Sequence, residues 1–238
     1  MESPMHLSNS REAGADESRI KYPSYKSFDQ FIDIDRLKSL NRYLTKQIHQ
    51  HSSTGANDWF LNEHRLDPTM PHQPGAREVW LTRTKPGTPY NYLDLDQSEL
   101  WERTDWASKF SELMDFIETL PFRQTGRILI IYDYEGSEVP AHRDHLEKNV
   151  CHDFIWFRTN LKKPFYMYNH QTGEKLYVDS YSAWFDTVNQ FHGSDAAPGL
   201  SFSIRVDGVF SPDLRKKIPV PSFNIAATPA LWAADEIS

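Results

Sequence analysis

The side chains best suited to chemistry begin past the middle of the 238-residue chain. They are His142-Arg-Asp144, then His192, then Arg205. Two imidazoles and one carboxylate form the ligand set that holds a non-haem ferrous ion on one face and leaves other positions open. An arginine shortly after the second histidine adds a planar fork that fits a carboxylate.

The chain has ten histidines, so a single His-x-acid match is weak by itself, and His145-Leu-Glu147 overlaps the first. The flanks favour His142 and Asp144. His142 follows a strand, a turn containing Gly136, and Val139-Pro140, which predicts the start of a strand facing a barrel interior. Glu147 sits in Glu147-Lys-Asn149 and reads as solvated. Taken alone, His192 reads better as a loop histidine held by Asp195. Arg205 shifts the balance. Period-two alternation over Ser201-Phe-Ser-Ile-Arg-Val-Asp207 puts Phe202, Ile204 and Val206 on one face and Ser201, Ser203 and Arg205 on the other. Beside a metal ligand, that polar face reads as the wall of a cavity.

Elements able to hold these residues can be read from the hydrophobic pattern. Phe31, Ile34, Leu37, Leu40, Leu44 and Ile48 recur at helical spacing, predicting a helix over 28–48. Leu100, Phe110, Leu113, Met114, Ile117 and Leu120 predict a second over roughly 97–120, stopped by Pro121. Residues 51–95 between them read as irregular. From Gly126 short strands follow: 127–132, 153–157, 164–168, 175–178, 182–185 and 201–206, parted by turn signals such as His170-Gln-Thr-Gly173 and Ala197-Pro-Gly199. Such spacing argues a sandwich or jelly roll rather than a parallel βαβ sheet. Residues 1–20 read as a flexible lead-in, and 21–238 as one domain with a tail over 213–238, expected to be irregular. Trp156, Phe157, Tyr166, Tyr168, Trp184 and Phe191 read mostly as core, and Arg158 as a surface residue before a substrate contact.

Composition narrows the function. A formal net charge of −7 gives no broad footprint for nucleic acid. The single cysteine, Cys151, allows no intrachain disulfide and suits a reducing cytoplasm. The first residues lack the apolar core of a secretory signal, and the aliphatic run Ile128-Leu-Ile-Ile131 is far too short to span a membrane.

The stretch from Tyr132 through Glu135-Gly-Ser-Glu-Val-Pro-Ala to His142-Arg-Asp144, with His192 and Arg205 after it, resembles the double-stranded β-helix core of the Fe(II)/2-oxoglutarate oxygenases. The resemblance covers roughly residues 126–212. The layout from Asp179 to His192, and Phe202-Ser-Ile-Arg-Val-Asp-Gly208, is similar to the aspartyl/asparaginyl β-hydroxylase branch. Asp144 is a departure, because that branch often lacks the metal carboxylate. The resemblance implies an α+β protein with a jelly-roll core and N-terminal helices packed against it. It implies Fe(II) on His142, Asp144 and His192, with 2-oxoglutarate and O₂ as co-substrates. Arg205, Ser203 and Tyr132 are then expected to meet the distal carboxylate of 2-oxoglutarate. Hydroxylation is expected over halogenation, since Asp144 fills the position a halide would take. The expected substrate is a small molecule, an amino acid or natural-product intermediate, without nucleic acid or membrane. The alternatives are a peptide or protein side chain, or a cupin-like metal protein that uses no 2-oxo acid. Substrate choice is expected within 51–95, which holds Trp59, His64, Arg77, Trp80, Arg83 and Tyr90.

Overall fold

The computed structural model describes residues 24–52, 76–89, 94–134, 136–144, 153–187 and 190–217. Its strands in chain order are β1 (Lys26–Ser27), β2 (Ala76–Trp80), β3 (Thr82–Thr84), β4 (Trp101–Arg103), β5 (Phe122–Asp133), β6 (Val139–His142), β7 (Asp153–Phe157), β8 (Phe165–Asn169), β9 (Glu174–Tyr177), β10 (Ser182–Trp184), β11 (Phe191–Ser194) and β12 (Ser201–Phe210). The helices are α1 (Ile34–Ser52), α2 (Asp105–Lys109), α3 (Ser111–Ile117) and α4 (Pro212–Lys217).

Two antiparallel sheets form the body. The larger runs β1-β10-β7-β12-β5-β2 and the smaller β6-β11-β8-β9. From β5 onward the chain passes from sheet to sheet: β5, β7, β10 and β12 lie in the larger, and β6, β8, β9 and β11 in the smaller. That winding is a double-stranded β-helix, the jelly roll expected from the strand spacing.

Register decides which side chains enter the space between the sheets, because residues directly opposite each other share a face. Arg205 lies opposite Leu129 on β5 and Trp156 on β7, while Ser203 faces Ile131 and Ser201 faces Asp133. The other face carries Phe202 opposite Tyr132, Ile204 opposite Ile130 and Phe157, and Val206 opposite Ile128 and Ile155. These apolar residues are buried in the core with Leu37, Leu44 and Ile48 of α1 and Phe116 of α3. Phe116 meets Phe157 edge-on at 5.7 Å.

The helices differ from expectation in ways the contacts explain. The helix foreseen over 28–48 starts only at Ile34, because Asp29 is otherwise engaged. Its carboxylate accepts the backbone N–H groups of Tyr181 and Ser182 and the Ser182 hydroxyl, at 3.0, 2.8 and 2.6 Å. Asp33 then caps the helix by accepting the Arg36 N–H at 2.9 Å. The helix foreseen over 97–120 is broken. Trp101 stacks on Trp80 at 6.3 Å and opens β4, which pairs with β3. The Thr104 hydroxyl donates to the Trp80 carbonyl at 2.7 Å, so helix resumes only at Asp105. Residues 76–80 and 82–84, read as irregular, are strands. The tail begins with a short helix rather than an irregular coil: Pro212 opens α4, and the Ser211 hydroxyl accepts the Leu214 N–H at 3.2 Å. The flexible lead-in over 1–20, Trp59, His64, Tyr90 and the rest of the tail lie outside the described residues. Among the described residues no helix is long and apolar enough to cross a membrane.

Gly126 lets β5 pass close beneath the 94–97 turn. A Cβ there would lie 2.1 Å from the Leu95 carbonyl oxygen, which accepts the Arg127 N–H at 2.9 Å. Gly126→Ala is expected to cost about 3 kcal/mol, the upper end of ordinary overpacking, since backbone rather than a side-chain end must yield. Urea unfolding reads this directly. A loss under about 1 kcal/mol would mean that the turn retreats freely.

Candidate metal centre and adjoining cavity

His142 closes β6 instead of opening a strand, and His192 lies within β11 rather than in a loop. The two residues are direct cross-strand partners, with ring centroids 4.5 Å apart. Each imidazole is tethered the same way. Nδ1 of His142 lies 2.8 Å from the Pro140 carbonyl oxygen, and Nδ1 of His192 lies 3.3 Å from that of Gln190. A carbonyl only accepts, so each Nδ1 carries a hydrogen, which in a neutral ring puts the lone pair on Nε2. Both Nε2 atoms face the same oxygen, Oδ1 of Asp144, at 3.7 and 3.6 Å. The backbone N–H of Asp144 donates to the Thr187 carbonyl at 2.7 Å, fixing the third residue to the segment before β11.

The donor set fits a small divalent ion. One ligand atom from each of the three residues lies within 4.8 Å of the others. Ligand atoms about 2.1 Å from one ion and at right angles lie about 3 Å apart, so little movement would close the set. Burial pushes His192 down to about 4, keeping the imbedded ring neutral and its lone pair free. For Asp144, burial acts to raise the pKa. His192 and His142, protonated at the acid pH where a carboxyl titrates, together with the Arg205 and Arg127 guanidiniums, outweigh it and hold the carboxyl below its usual range. Phe185 and Phe165 flank His192 at 5.2 and 6.0 Å, an apolar shell that limits water. Arg143 stands over the Phe191 ring at 4.6 Å. The overlapping pair His145 and Glu147 lies outside the described residues.

Arg205 does enter the space between the sheets, but it turns to Asp144. Its Nη1 lies 3.3 Å from Oδ2 of Asp144. Its Nε and Nη2 both meet Oδ1 of Asp207, at 3.0 and 2.9 Å, and its guanidinium covers the Phe154 ring at 4.1 Å. Asp207, 0% exposed, accepts Arg127 Nε on its other oxygen at 2.8 Å. Asp144, Arg205, Asp207 and Arg127 thus form a row of alternating charge running back from the cluster.

A cavity of about 190 Å³ adjoins the three residues. Ser203 lies on its wall, on the same sheet face as Arg205. Tyr132 also lines the cavity, although register puts it on the opposite face of its strand from Ser203 and Arg205. Its register partner is Phe202, and it packs edge-on against Tyr134, whose hydroxyl meets His49 of α1 at 3.2 Å. Arg158 corrects the expectation of a surface residue: it is 4% exposed and lines the cavity with Lys163. Arg158 was weighed as a substrate contact but read as surface, and Asp207 was not considered. Alternation places Arg158 on the face of Trp156, and Asp207 on that of Arg205, so the signal was present.

No protein-family model and no curated protein matches the sequence. Among solved structures, a prolyl-4-hydroxylase of Pseudomonas putida aligns over 77% of this chain and 90% of its own, at 11% identity and a TM-score of 0.40. An oxidoreductase of the 2OG-Fe(II) oxygenase family from Burkholderia pseudomallei aligns over 58% and 69%, at 9% identity and TM-score 0.36. A viral collagen prolyl hydroxylase of Paramecium bursaria Chlorella virus-1, in complex with 2OG, aligns over 78% and 96%, at 8% identity and TM-score 0.35.

Proposed function

We propose that the chain is an Fe(II)- and 2-oxoglutarate-dependent dioxygenase that hydroxylates a small molecule such as an amino acid or natural-product intermediate. The observation that carries this reading is the convergence of His142 Nε2, His192 Nε2 and the Asp144 carboxylate beside a small cavity with cations in its wall. Bound by these residues, iron would couple decarboxylation of 2-oxoglutarate to succinate and CO₂ with insertion of one atom of O₂ into a substrate C–H bond, the other atom going to succinate.

The protein's own part is positioning and exclusion of water. Pro140 and Gln190 fix the two imidazoles, and Arg205 steadies Asp144 through its free oxygen. Ser203 offers a hydroxyl from the cavity wall to the co-substrate. Ligand pockets for drug-sized molecules run from about 300 Å³ upward, so about 190 Å³ suits one small diacid. The compound to be oxidised then approaches from the mouth.

The test is succinate formation from 2-oxoglutarate with Fe(II), ascorbate and panels of amino-acid-sized compounds. Stimulated turnover with a small compound supports the reading. Bound metal with no consumption of any 2-oxo acid would sink it, and activity confined to folded proteins would overturn the substrate class. Arg205→Ala is expected to weaken metal affinity about 10–100-fold, the usual effect of losing a partner that orients a ligand. A calorimetric metal titration reads this, and unchanged affinity would refute the steadying role.

A further inference from the structure

Three cations line the cavity: Arg205, Lys163 and Arg158. Arg205 is paired with Asp144 and Asp207, and Lys163 with Asp133 at 2.9 Å. Arg158 alone of the three has no carboxylate within ion-pair distance among the described residues. Its Nη1 donates to the Lys163 carbonyl at 2.8 Å, its Nε to that of Ser180 at 3.4 Å, and its Nη2 to those of Val178 and Ser180. Carbonyls are neutral, so they satisfy donors but leave a buried positive charge uncompensated, a costly state that an anion relieves. A guanidinium has five N–H donors, so one Nη1 hydrogen remains. Lys163 has three, of which Asp133 and the Ser137 carbonyl take two. Both residues line the cavity, and Arg158 binds the Lys163 backbone.

The diacid's own shape separates the candidates. Bound as proposed above, its 2-oxo acid end would sit at His142, Asp144 and His192, and its second carboxylate lies two methylenes beyond the ketone. Arg205 touches one of the ligands itself, and three of its nitrogens are committed to carboxylates. It is at the wrong end and already neutralised.

We propose that Arg158 and Lys163 form the carboxylate-binding end of the cavity and receive the distal carboxylate of the 2-oxo diacid, while Arg205 serves Asp144. This rests on the function proposed above. Burial pushes Arg158 down to about 10, against the pull of Asp29, Tyr181, Tyr25 and Asp179. The group therefore stays protonated near neutrality and gains from a counter-ion.

The experiment is calorimetric titration of the full chain, loaded with Mn(II), with 2-oxoglutarate and with 2-oxopentanoate, which carries a methyl group in place of the distal carboxylate. The preference for the diacid is a ratio measured on one sample, so partial unfolding cancels, and thermal melts check each variant. The wild type is expected to prefer the diacid about 10–100-fold. Lys163→Met and the milder Arg158→Lys should each cut that preference about tenfold with Mn(II) affinity intact. Arg205→Ala should lower Mn(II) affinity and keep the preference. An undiminished preference in both Lys163→Met and Arg158→Lys, or its collapse in Arg205→Ala alone, would overturn the assignment. A wild type that binds Mn(II) without any diacid preference overturns it too. A wild type that binds no Mn(II) instead fails the oxygenase reading itself.

Discussion

His192→Ala is expected to abolish metal binding, with affinity falling by more than about a hundredfold. Changes to groups that merely orient ligands already cost about 10–100-fold, and here one of three protein ligands is removed outright. His192 suits the role because its ring is 6% exposed, tethered through Nδ1, and aimed at Asp144. No other imidazole among the described residues joins the cluster of His142, Asp144 and His192. Thermal unfolding supplies a readout independent of turnover. A ligand present at a hundred times its dissociation constant stabilises the folded state by about 2.7 kcal/mol. Added Fe(II) or Mn(II) should therefore raise the wild-type midpoint and leave that of His192→Ala unmoved. His142→Ala should behave alike, whereas Glu147→Ala should be nearly silent. A metal-induced shift that survives in His192→Ala, or vanishes in Glu147→Ala, would move the site to the overlapping His145-Leu-Glu147.

Asp207→Asn is expected to be the most damaging isosteric change to the fold. Asp207 lies between Arg127 and Arg205, and all three side chains are almost fully enclosed. Breaking a buried ion pair from one side costs about 3–5 kcal/mol, because the remaining charge stays buried without a partner. Asparagine keeps the volume and loses the charge, so packing does not confuse the result. At about 2–4 °C per kcal/mol for a chain of this size, the midpoint should fall by roughly 10 °C. Metal affinity should fall as well, since Arg205 loses the anchor that holds it against Asp144. A calorimetric scan showing a change under about 2 °C would mean that solvent reaches the row and screens it.

Much of the β-helix was legible because its strands are short, apolar and regularly punctuated. The 153–157 run is β7 to the residue. The helices were less so. The stripe around Leu100 and Phe110 has helical spacing, yet Trp101 is drawn into pairing by Trp80 and the β3 strand, partners far away in sequence. β11 was missed as a strand, and β6 was placed to start at His142 where it ends, because Phe191-His-Gly-Ser194 and Val139-Pro-Ala-His142 carry little β-propensity. They pair because neighbouring strands demand it. The convergence of His142, Asp144 and His192 was readable from residue type and spacing. The direction of Arg205 was not, since alternation gives a face and says nothing of which carboxylate on that face captures the guanidinium. Asp207, two residues on, was the clue.

The cross-strand pairing of His142 with His192 has a mechanical consequence. β6 is an edge of the smaller sheet, four residues long, with Pro140 inside it, and an edge strand is held from one side only. An ion shared by positions 142 and 192 would act as a removable clasp across fifty residues (192 − 142) of chain, closing a loop whose entropy otherwise favours opening. Slipping the pairing by one residue would turn His142 away from its partner, so the clasp shuts only on correctly aligned strands. Metal loading would then proofread the fold as well as arm it, and amide hydrogens of β6 should exchange sooner than those of β11 once the ion is withdrawn.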